Sequence, residues 1–140
     1  MPTPWPAMGA GTAIPPVAVA VSLQRLVLAA GGERDFNPLH FDSDYARSCG
    51  FHAAFANGLF LQAMIERTVT DFVGPMGELR RLRLRMSAPV YIGRVLTIDG
   101  TVDSVAESDG WGSVEATVYL RTEDGPCATA RVMAQVPTVH

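Results

Sequence analysis

Hydrophobic and polar residues along the chain change their spacing once, near residue 77. Before that position, apolar residues recur every three or four places, which is typical of one side of a helix. After it, they alternate with polar residues, which is typical of one face of a strand. The pattern therefore predicts helices in the first half of the chain and antiparallel strands in the second half.

The longest predicted helix covers residues 58–72 and is apolar around most of its circumference. The sequence that follows it, Gly74-Pro75, ends the helix because proline cannot continue one. A helix with so few polar positions needs to be surrounded by other parts of the fold. Two shorter helices are predicted upstream, one from a cap at Ser22 to about Ala30, before a glycine pair, and one at residues 42–50.

Four strands are predicted after residue 77, and one more before the first helix. The first of the four alternates leucine with arginine, so that one of its faces is apolar and the other basic. Short loops rich in Asp, Glu and Gly join the last three strands as hairpins. The predicted strands cover residues 17–22, 79–86, 94–106, 111–122 and 127–136.

A sheet that wraps a single long helix is an α+β arrangement. The 140 residues are enough for one domain with a sizeable core and too few for two. Residues 1–16 are rich in proline and glycine, and we expect them to form a flexible N-terminal arm ahead of a single domain at 17–140.

Composition and charge exclude several classes of function. The formal net charge of −3 provides no basic surface for nucleic acid or for an anionic membrane. Cys49 and Cys127 stand far apart without nearby histidines, so we expect no zinc site. With no signal peptide and no apolar run long enough to span a bilayer, a soluble cytoplasmic protein is expected.

The stretch "RDFNPLHFD" at residues 34–42 holds the most informative candidate chemistry. Asp35 and His40 are separated by a proline that keeps the intervening chain out of a helix, so both side chains can point into one pocket. Phe36 and Leu39 would anchor this loop in the core. A carboxylate beside an imidazole suits a general acid/base pair that acts on water. The alternative is a helix cap at Asp35 and a buried, hydrogen-bonded His40.

Two motifs in register resemble the MaoC-like (R)-specific enoyl-CoA hydratases and dehydratases. The first is "DFNPLHFDSDYARSCGF" followed by "ANGLF", and the second is "LRMSAPVYIGRVL" at residues 84–96. The resemblance covers roughly residues 15–136. It implies a hot-dog fold, in which an antiparallel sheet wraps the long helix, and edge-to-edge pairing of two such folds. Some details are similar to the actinobacterial branch that acts on bulky acyl-CoA thioesters such as steroid side chains.

The resemblance also implies roles for individual residues. Asp35 and His40 correspond to the catalytic pair that holds and activates water, and Asn37 supports their loop. Gly58 corresponds to the glycine whose N–H binds the thioester carbonyl oxygen, as the positive end of a helix dipole can. Asn57 stands where the family often has His or Ser, and it is expected to bind Asp35 or substrate.

Two further departures from the family pattern are Arg34, where a glycine is usual, and Met86, where an aromatic residue is usual. The implied reaction is the reversible addition of water to a trans-2-enoyl thioester, giving the (R)-3-hydroxyacyl thioester. The substrate carries CoA or an acyl-carrier arm, and no metal or other cofactor is expected. The expected assembly is a homodimer or a hetero-oligomer with a paralogous hot-dog subunit.

Two alternatives remain open at this point. Glu66 on the long helix is the candidate residue for a hot-dog acyl-CoA thioesterase. The second alternative is that the chain is a subunit that binds substrate only together with a paralogous partner. The basic stripe of Arg81, Arg83 and Arg85 either meets the phosphates of CoA or is the solvated side of the sheet.

Overall fold

The computed structural model describes residues 3–138 of the chain, except for the side chain of Pro6. Two short 3-10 turns, Trp5–Ala7 and Pro38–His40, accompany three helices and five strands. None of the described helices has the length and apolar composition that a membrane crossing requires. The helices are α1 (Leu23–Glu33), α2 (Ser43–Ser48) and α3 (Gly58–Val73), and the strands are β1 (Ala13–Ala20), β2 (Glu78–Met86), β3 (Val95–Ser108), β4 (Trp111–Thr122) and β5 (Gly125–Pro137).

The five strands form one sheet in the order β1-β3-β4-β5-β2, and every neighbouring pair is antiparallel. Alternate residues of the central strand β4 are buried, as expected where one face of a sheet covers a core. The hairpins β3–β4 and β4–β5 turn where the sequence predicts them. The buried positions of β4 are Gly112, Val114, Ala116, Val118 and Leu120.

The long helix α3 lies against the apolar side of this sheet, where it contacts β1, β2, β3 and β5 most closely. The side of α3 that faces the sheet is buried, with Leu61, Ile65 and Val69 almost fully inaccessible. Gln62, Glu66 and Arg67 remain exposed on its one polar side. The α+β class and the wrapped helix are therefore confirmed.

The first helix is longer than the sequence predicts. α1 continues through Gly31 and Gly32 to Glu33, because the residue that takes the left-handed, helix-ending conformation is Arg34 (φ 56°, ψ 30°). The N–H groups of Arg34 and Asp35 both donate to the carbonyl of Ala30, which closes the helix end. Glycine in a helix costs only about 1 kcal/mol, so a glycine pair by itself does not stop one.

Residues 3–16 are packed against the domain, so the predicted boundary at residue 16 does not correspond to a break in the fold. Thr3 donates its N–H to the carbonyl of Phe72 at 2.9 Å. Met8 is buried in the core, and β1 starts at Ala13, four residues before the predicted strand. Proline is compatible with β1 because this strand lies at the edge of the sheet.

Candidate active site

The loop that carries the acid and the imidazole is built by local hydrogen bonds between α1 and α2. Asn37 caps the 3-10 turn that follows it, since its Oδ1 accepts from the N–H of Leu39 at 3.1 Å. Asp42 then caps α2 by accepting from two backbone N–H groups. Phe36, between Asp35 and Asn37, does not anchor the loop in the core as the sequence predicts, because its side chain is 66% exposed.

Asp35 and His40 face each other across this loop. Asp35 Oδ2 lies 3.6 Å from His40 Nε2, slightly beyond direct hydrogen-bond reach. The other ring nitrogen, Nδ1, lies 2.9 Å from the carbonyl oxygen of Phe55. A carbonyl only accepts, so Nδ1 carries a proton and Nε2 of the neutral ring offers a lone pair toward Asp35. The ring of Phe55 also packs edge-on against the imidazole, which holds its orientation.

Asn57 connects the start of α3 to the acidic side of the site. Its Oδ1 accepts from the N–H of Phe60 at 2.7 Å and caps the helix. Its amide nitrogen donates to Asp35 Oδ2 at 3.0 Å and to Glu33 Oε2 at 2.6 Å. Asn57 is buried, and its amide is therefore held in one orientation.

Gly58 is the first residue of α3, where backbone N–H groups have no acceptor within the helix. It lines a cavity of about 430 Å³ together with Asp35, His40 and Asn57. A Cβ atom at Gly58 would lie 3.6 Å from Met86 Cε, so the glycine keeps this side of the cavity open. The chain thus brings an acid, an imidazole with a free nitrogen and a helix N-terminus to one cavity.

Other candidates from the sequence lie outside this cavity. Glu66 is exposed on α3, eight residues beyond Gly58, which is about 12 Å along the helix axis. Arg81, Arg83 and Arg85 are exposed on β2, and the first two line a separate pocket whose wall also includes carboxylates. Within residues 3–138, no group of three His, Cys, Asp or Glu side chains is arranged to hold a metal ion.

Glu33 is the residue at the site that the sequence does not reveal. It lies at the end of α1, two positions before Asp35, and nothing in the surrounding "GGERDF" distinguishes it from a solvent-exposed glutamate. Glu33 reaches Asn57 from the last turn of α1, and the left-handed conformation of Arg34 brings Asp35 to the same amide. A non-glycine residue adopts that conformation rarely, so no local signal predicts it.

A second cavity, of about 680 Å³, adjoins the first at Ala88 and Pro89. Its wall includes His52, Tyr91 and the buried Cys127. The rings of His52 and Tyr91 pack edge to face with centroids 5.5 Å apart. The connection between β2 and β3 therefore separates two open volumes.

Residues 11–124 match the family model described as a MaoC like domain. That match spans most of the chain, so the protein belongs to the MaoC-like family of hydratases and dehydratases. It is 32% identical over 107 residues to the 3-oxo-4,17-pregnadiene-20-carboxyl-CoA hydratase beta subunit of Mycobacterium tuberculosis, across 76% of this chain and 80% of that protein.

Solved structures confirm the hot-dog fold. A chain of the ChsH1-ChsH2 complex from Mycobacterium tuberculosis superimposes with a TM-score of 0.81 and 30% identity, over 91% of this chain and 97% of that chain. The (R)-hydratase from A. caviae involved in PHA biosynthesis superimposes with a TM-score of 0.83 and 19% identity, over 94% of this chain and 98% of that chain. The hydratase/dehydratase class of enzyme that the two motifs imply is also confirmed.

Proposed function

We propose that the protein reversibly hydrates a trans-2-enoyl thioester to the (R)-3-hydroxyacyl thioester. The observation that carries this proposal is the arrangement of His40. Its Nδ1 donates a hydrogen bond to the carbonyl of Phe55, which leaves Nε2 facing Asp35. Both residues line the same cavity as the N-terminus of α3. A water between Nε2 and the carboxylate would be oriented by both groups.

His40 is the proton carrier in this mechanism, and Asp35 orients the water. As the water oxygen bonds to the β-carbon, its proton passes to Nε2 and the electrons of the double bond move toward the thioester. The imidazolium then returns that proton to the α-carbon on the same face. Asp35 stabilises the imidazolium while it exists. Dehydration follows the same steps in reverse.

Gly58 stabilises the negative charge that builds on the thioester oxygen. Its N–H lies at the positive end of the α3 dipole, where developing enolate charge is favoured. The absence of a side chain lets the thioester carbonyl approach the backbone closely. The handle of the thioester is CoA or an acyl-carrier arm, and both would enter through the open side of the cavity.

The acyl group that we infer is bulky. The second cavity adjoins the site, and Ala, Pro, Tyr and Ile side chains make up most of its wall beside the ion pair of Arg94 and Asp124. The apolar part of this wall suits a large hydrophobic acyl group. The relative from Mycobacterium tuberculosis is named as the hydratase of a pregnadiene carboxyl-CoA. We therefore expect steroid-like or other bulky enoyl-CoA substrates to be hydrated faster than short linear ones.

We further propose that the protein works as an assembly of hot-dog subunits. Leu59 and Met86 are 50% and 58% exposed beside the cavity, and β2 is an edge strand with unpaired backbone groups. Apolar side chains and a free strand edge favour a second hot-dog subunit at this face. The partner is a second copy of this chain or, as in the ChsH1-ChsH2 complex, a paralogue.

A spectrophotometric assay tests the reaction. The protein, alone and together with a paralogous hot-dog subunit, is incubated with enoyl-CoA substrates of increasing acyl size, and loss of the conjugated-thioester absorbance is followed. Asp35→Asn and His40→Ala are each expected to lower kcat at least about a hundredfold. Asp44→Asn, which alters an exposed carboxylate on α2, is the matched control and is expected to keep wild-type rates.

Failure of both preparations to act on every enoyl-CoA would overturn the proposal, as would full activity of the Asp35 and His40 variants. Release of free thiol from acyl-CoA, abolished by Glu66→Gln, would instead identify a thioesterase. The geometry does not favour that outcome, because Glu66 does not line the cavity that contains Asp35 and His40.

A further inference from the structure

Asn57 has a hydrogen-bond partner at each of its polar side-chain groups. Its Oδ1 accepts from the N–H of Phe60, and its amide nitrogen lies 2.6 Å from Glu33 Oε2 and 3.0 Å from Asp35 Oδ2. The amide has two hydrogens, so each carboxylate can receive one. Because the oxygen is committed to the helix cap, the amide cannot rotate without breaking contacts on both sides.

The two carboxylates converge because of the backbone between them. Glu33 ends α1, and Arg34 adopts the left-handed conformation, which turns the chain so that residues 33 and 35 point toward α3. On its other side, Asp35 Oδ2 lies 3.6 Å from His40 Nε2. A continuous set of contacts therefore leads from Glu33 through Asn57 and Asp35 to His40.

We propose that Glu33 is a positioning residue for hydration, acting on Asp35 through the amide of Asn57. This role rests on the proposed function. Without the Glu33 carboxylate, one buried amide hydrogen has no partner, and a buried unpaired donor is unfavourable. The amide then tilts toward water, its bond to Asp35 lengthens, and the carboxylate no longer holds the attacking water in line with His40 Nε2.

The expected kinetic effect is on turnover rather than on substrate binding. Glu33 does not line the cavity, so its removal changes no contact with the substrate. Misplacement of a catalytic group by a fraction of an ångström to 1 Å lowers rates by up to about a hundredfold. We expect Glu33→Ala to lower kcat by about tenfold while KM stays within about twofold of the wild-type value.

Glu33→Gln separates this role from a simple requirement for charge. Its side-chain oxygen can still accept the Asn57 hydrogen, so we expect kcat within about threefold of wild type. Gln24→Ala, an exposed polar-to-alanine change on the same helix, is the matched control for substitution in α1. It is expected to leave kcat, KM and Tm unchanged.

A second pair of variants tests whether Glu33 acts through Asn57. Asn57→Ser keeps a good N-cap for α3 but lacks the amide that joins the two carboxylates. In that background, Glu33→Ala is expected to cause no further loss of kcat. A full additional tenfold loss would show that Glu33 acts by another route and would overturn the proposal, as would a wild-type kcat for Glu33→Ala.

NMR measures the bridge independently of activity. The side-chain amide protons of Asn57 are expected to exchange slowly with water in the wild-type protein, and at least tenfold faster in Glu33→Ala. Unchanged exchange would overturn the proposed bridge even if kcat fell. If the wild-type protein hydrates no enoyl-CoA, either alone or with a paralogous hot-dog subunit, the proposed function fails and the role of Glu33 fails with it. If the wild-type protein is active and Glu33→Ala is equally active, only the role of Glu33 is rejected.

Discussion

Arg34 occupies a backbone conformation that side chains other than glycine rarely adopt. Its φ of 56° ends α1 and turns the chain so that Glu33 and Asp35 both approach Asn57. A glycine would adopt this conformation without steric cost. In this chain the turn is maintained by the contacts on either side of Arg34, at some cost in backbone strain.

Arg34→Gly is predicted to stabilise the protein. Glycine relieves the strain of the left-handed conformation, but its greater flexibility in the unfolded chain offsets part of that gain. The free energy of unfolding is therefore expected to rise by about 0.5–1 kcal/mol. Thermal denaturation should show an increase in Tm of a few degrees. Arg34→Ala is the control, because it removes the side chain but keeps the Cβ. An equal stabilisation by alanine would show that the arginine side chain, not the backbone, causes the strain.

Gly58→Ala is predicted to fold normally and to lose activity. The new Cβ would meet Met86 Cε at an ordinary 3.6 Å, so Tm should stay close to that of wild type. The methyl group would lie in the cavity where we propose that the thioester carbonyl approaches, so kcat/KM is expected to fall about ten- to a hundredfold. Gly31→Ala, in open space on α1, is the control and should retain activity. Wild-type kcat/KM for Gly58→Ala would contradict the role of this N–H.

At the scale of elements, the described N-terminal segment behaves as part of the domain. Trp5 lies directly over Gly112 in β4, where an added Cβ would collide with the indole ring. Its Nε1 donates to Glu107 Oε2 at 3.2 Å. The N-terminal segment is therefore held in place by the packing of Trp5 on Gly112 and by the backbone hydrogen bond from Thr3 to Phe72 in α3.

Gly112→Ala is predicted to displace Trp5 and to destabilise the fold. Forcing a methyl group against the ring is expected to cost about 1–3 kcal/mol, measured by chemical denaturation, with a red shift of tryptophan fluorescence. The control is the same substitution in a Trp5→Ala background, where no ring opposes the methyl and the added cost should largely disappear. Equal costs in both backgrounds would show that Gly112 is required for another reason.

At the scale of the whole molecule, one face carries both the cavity and the free edge of the sheet. β2 pairs with β5 on one side and has no strand on the other within the described fold. Leu59 and Met86 are exposed beside it. A partner at this face would therefore border the cavity that contains Asp35 and His40.

Leu59→Asp is predicted to weaken assembly without unfolding the subunit. A charge in an apolar interface is costly to desolvate, so sedimentation velocity should show a shift from the assembled species toward monomer, with an unchanged circular dichroism spectrum. Met76→Asp is the control, since Met76 is 70% exposed in the turn after α3, at the opposite end of that helix. An unchanged assembly in Leu59→Asp would place the interface elsewhere.

The sequence by itself determined the elements whose signals are local. Alternation over 111–122 predicts β4 at its observed bounds, and the apolar circumference of residues 58–72 predicts α3 within one residue. The two motifs also bring Asp35, His40 and Gly58 to attention before any contact is known. These signals are readable because periodicity and proline constraints act within a few residues of the chain.

The tertiary structure alone decided how those residues meet. The sequence predicts that Asn57 binds Asp35 or substrate. The 3.6 Å separation of Asp35 from His40, the carbonyl of Phe55 that accepts from the imidazole and the second contact of the Asn57 amide, with Glu33, come from the folded structure. Glu33 and Asp35 meet at one amide because Arg34 between them holds a left-handed conformation, which the contacts on either side of it stabilise. Such contacts depend on packing across the fold rather than on local backbone preferences, so no sequence pattern predicts them.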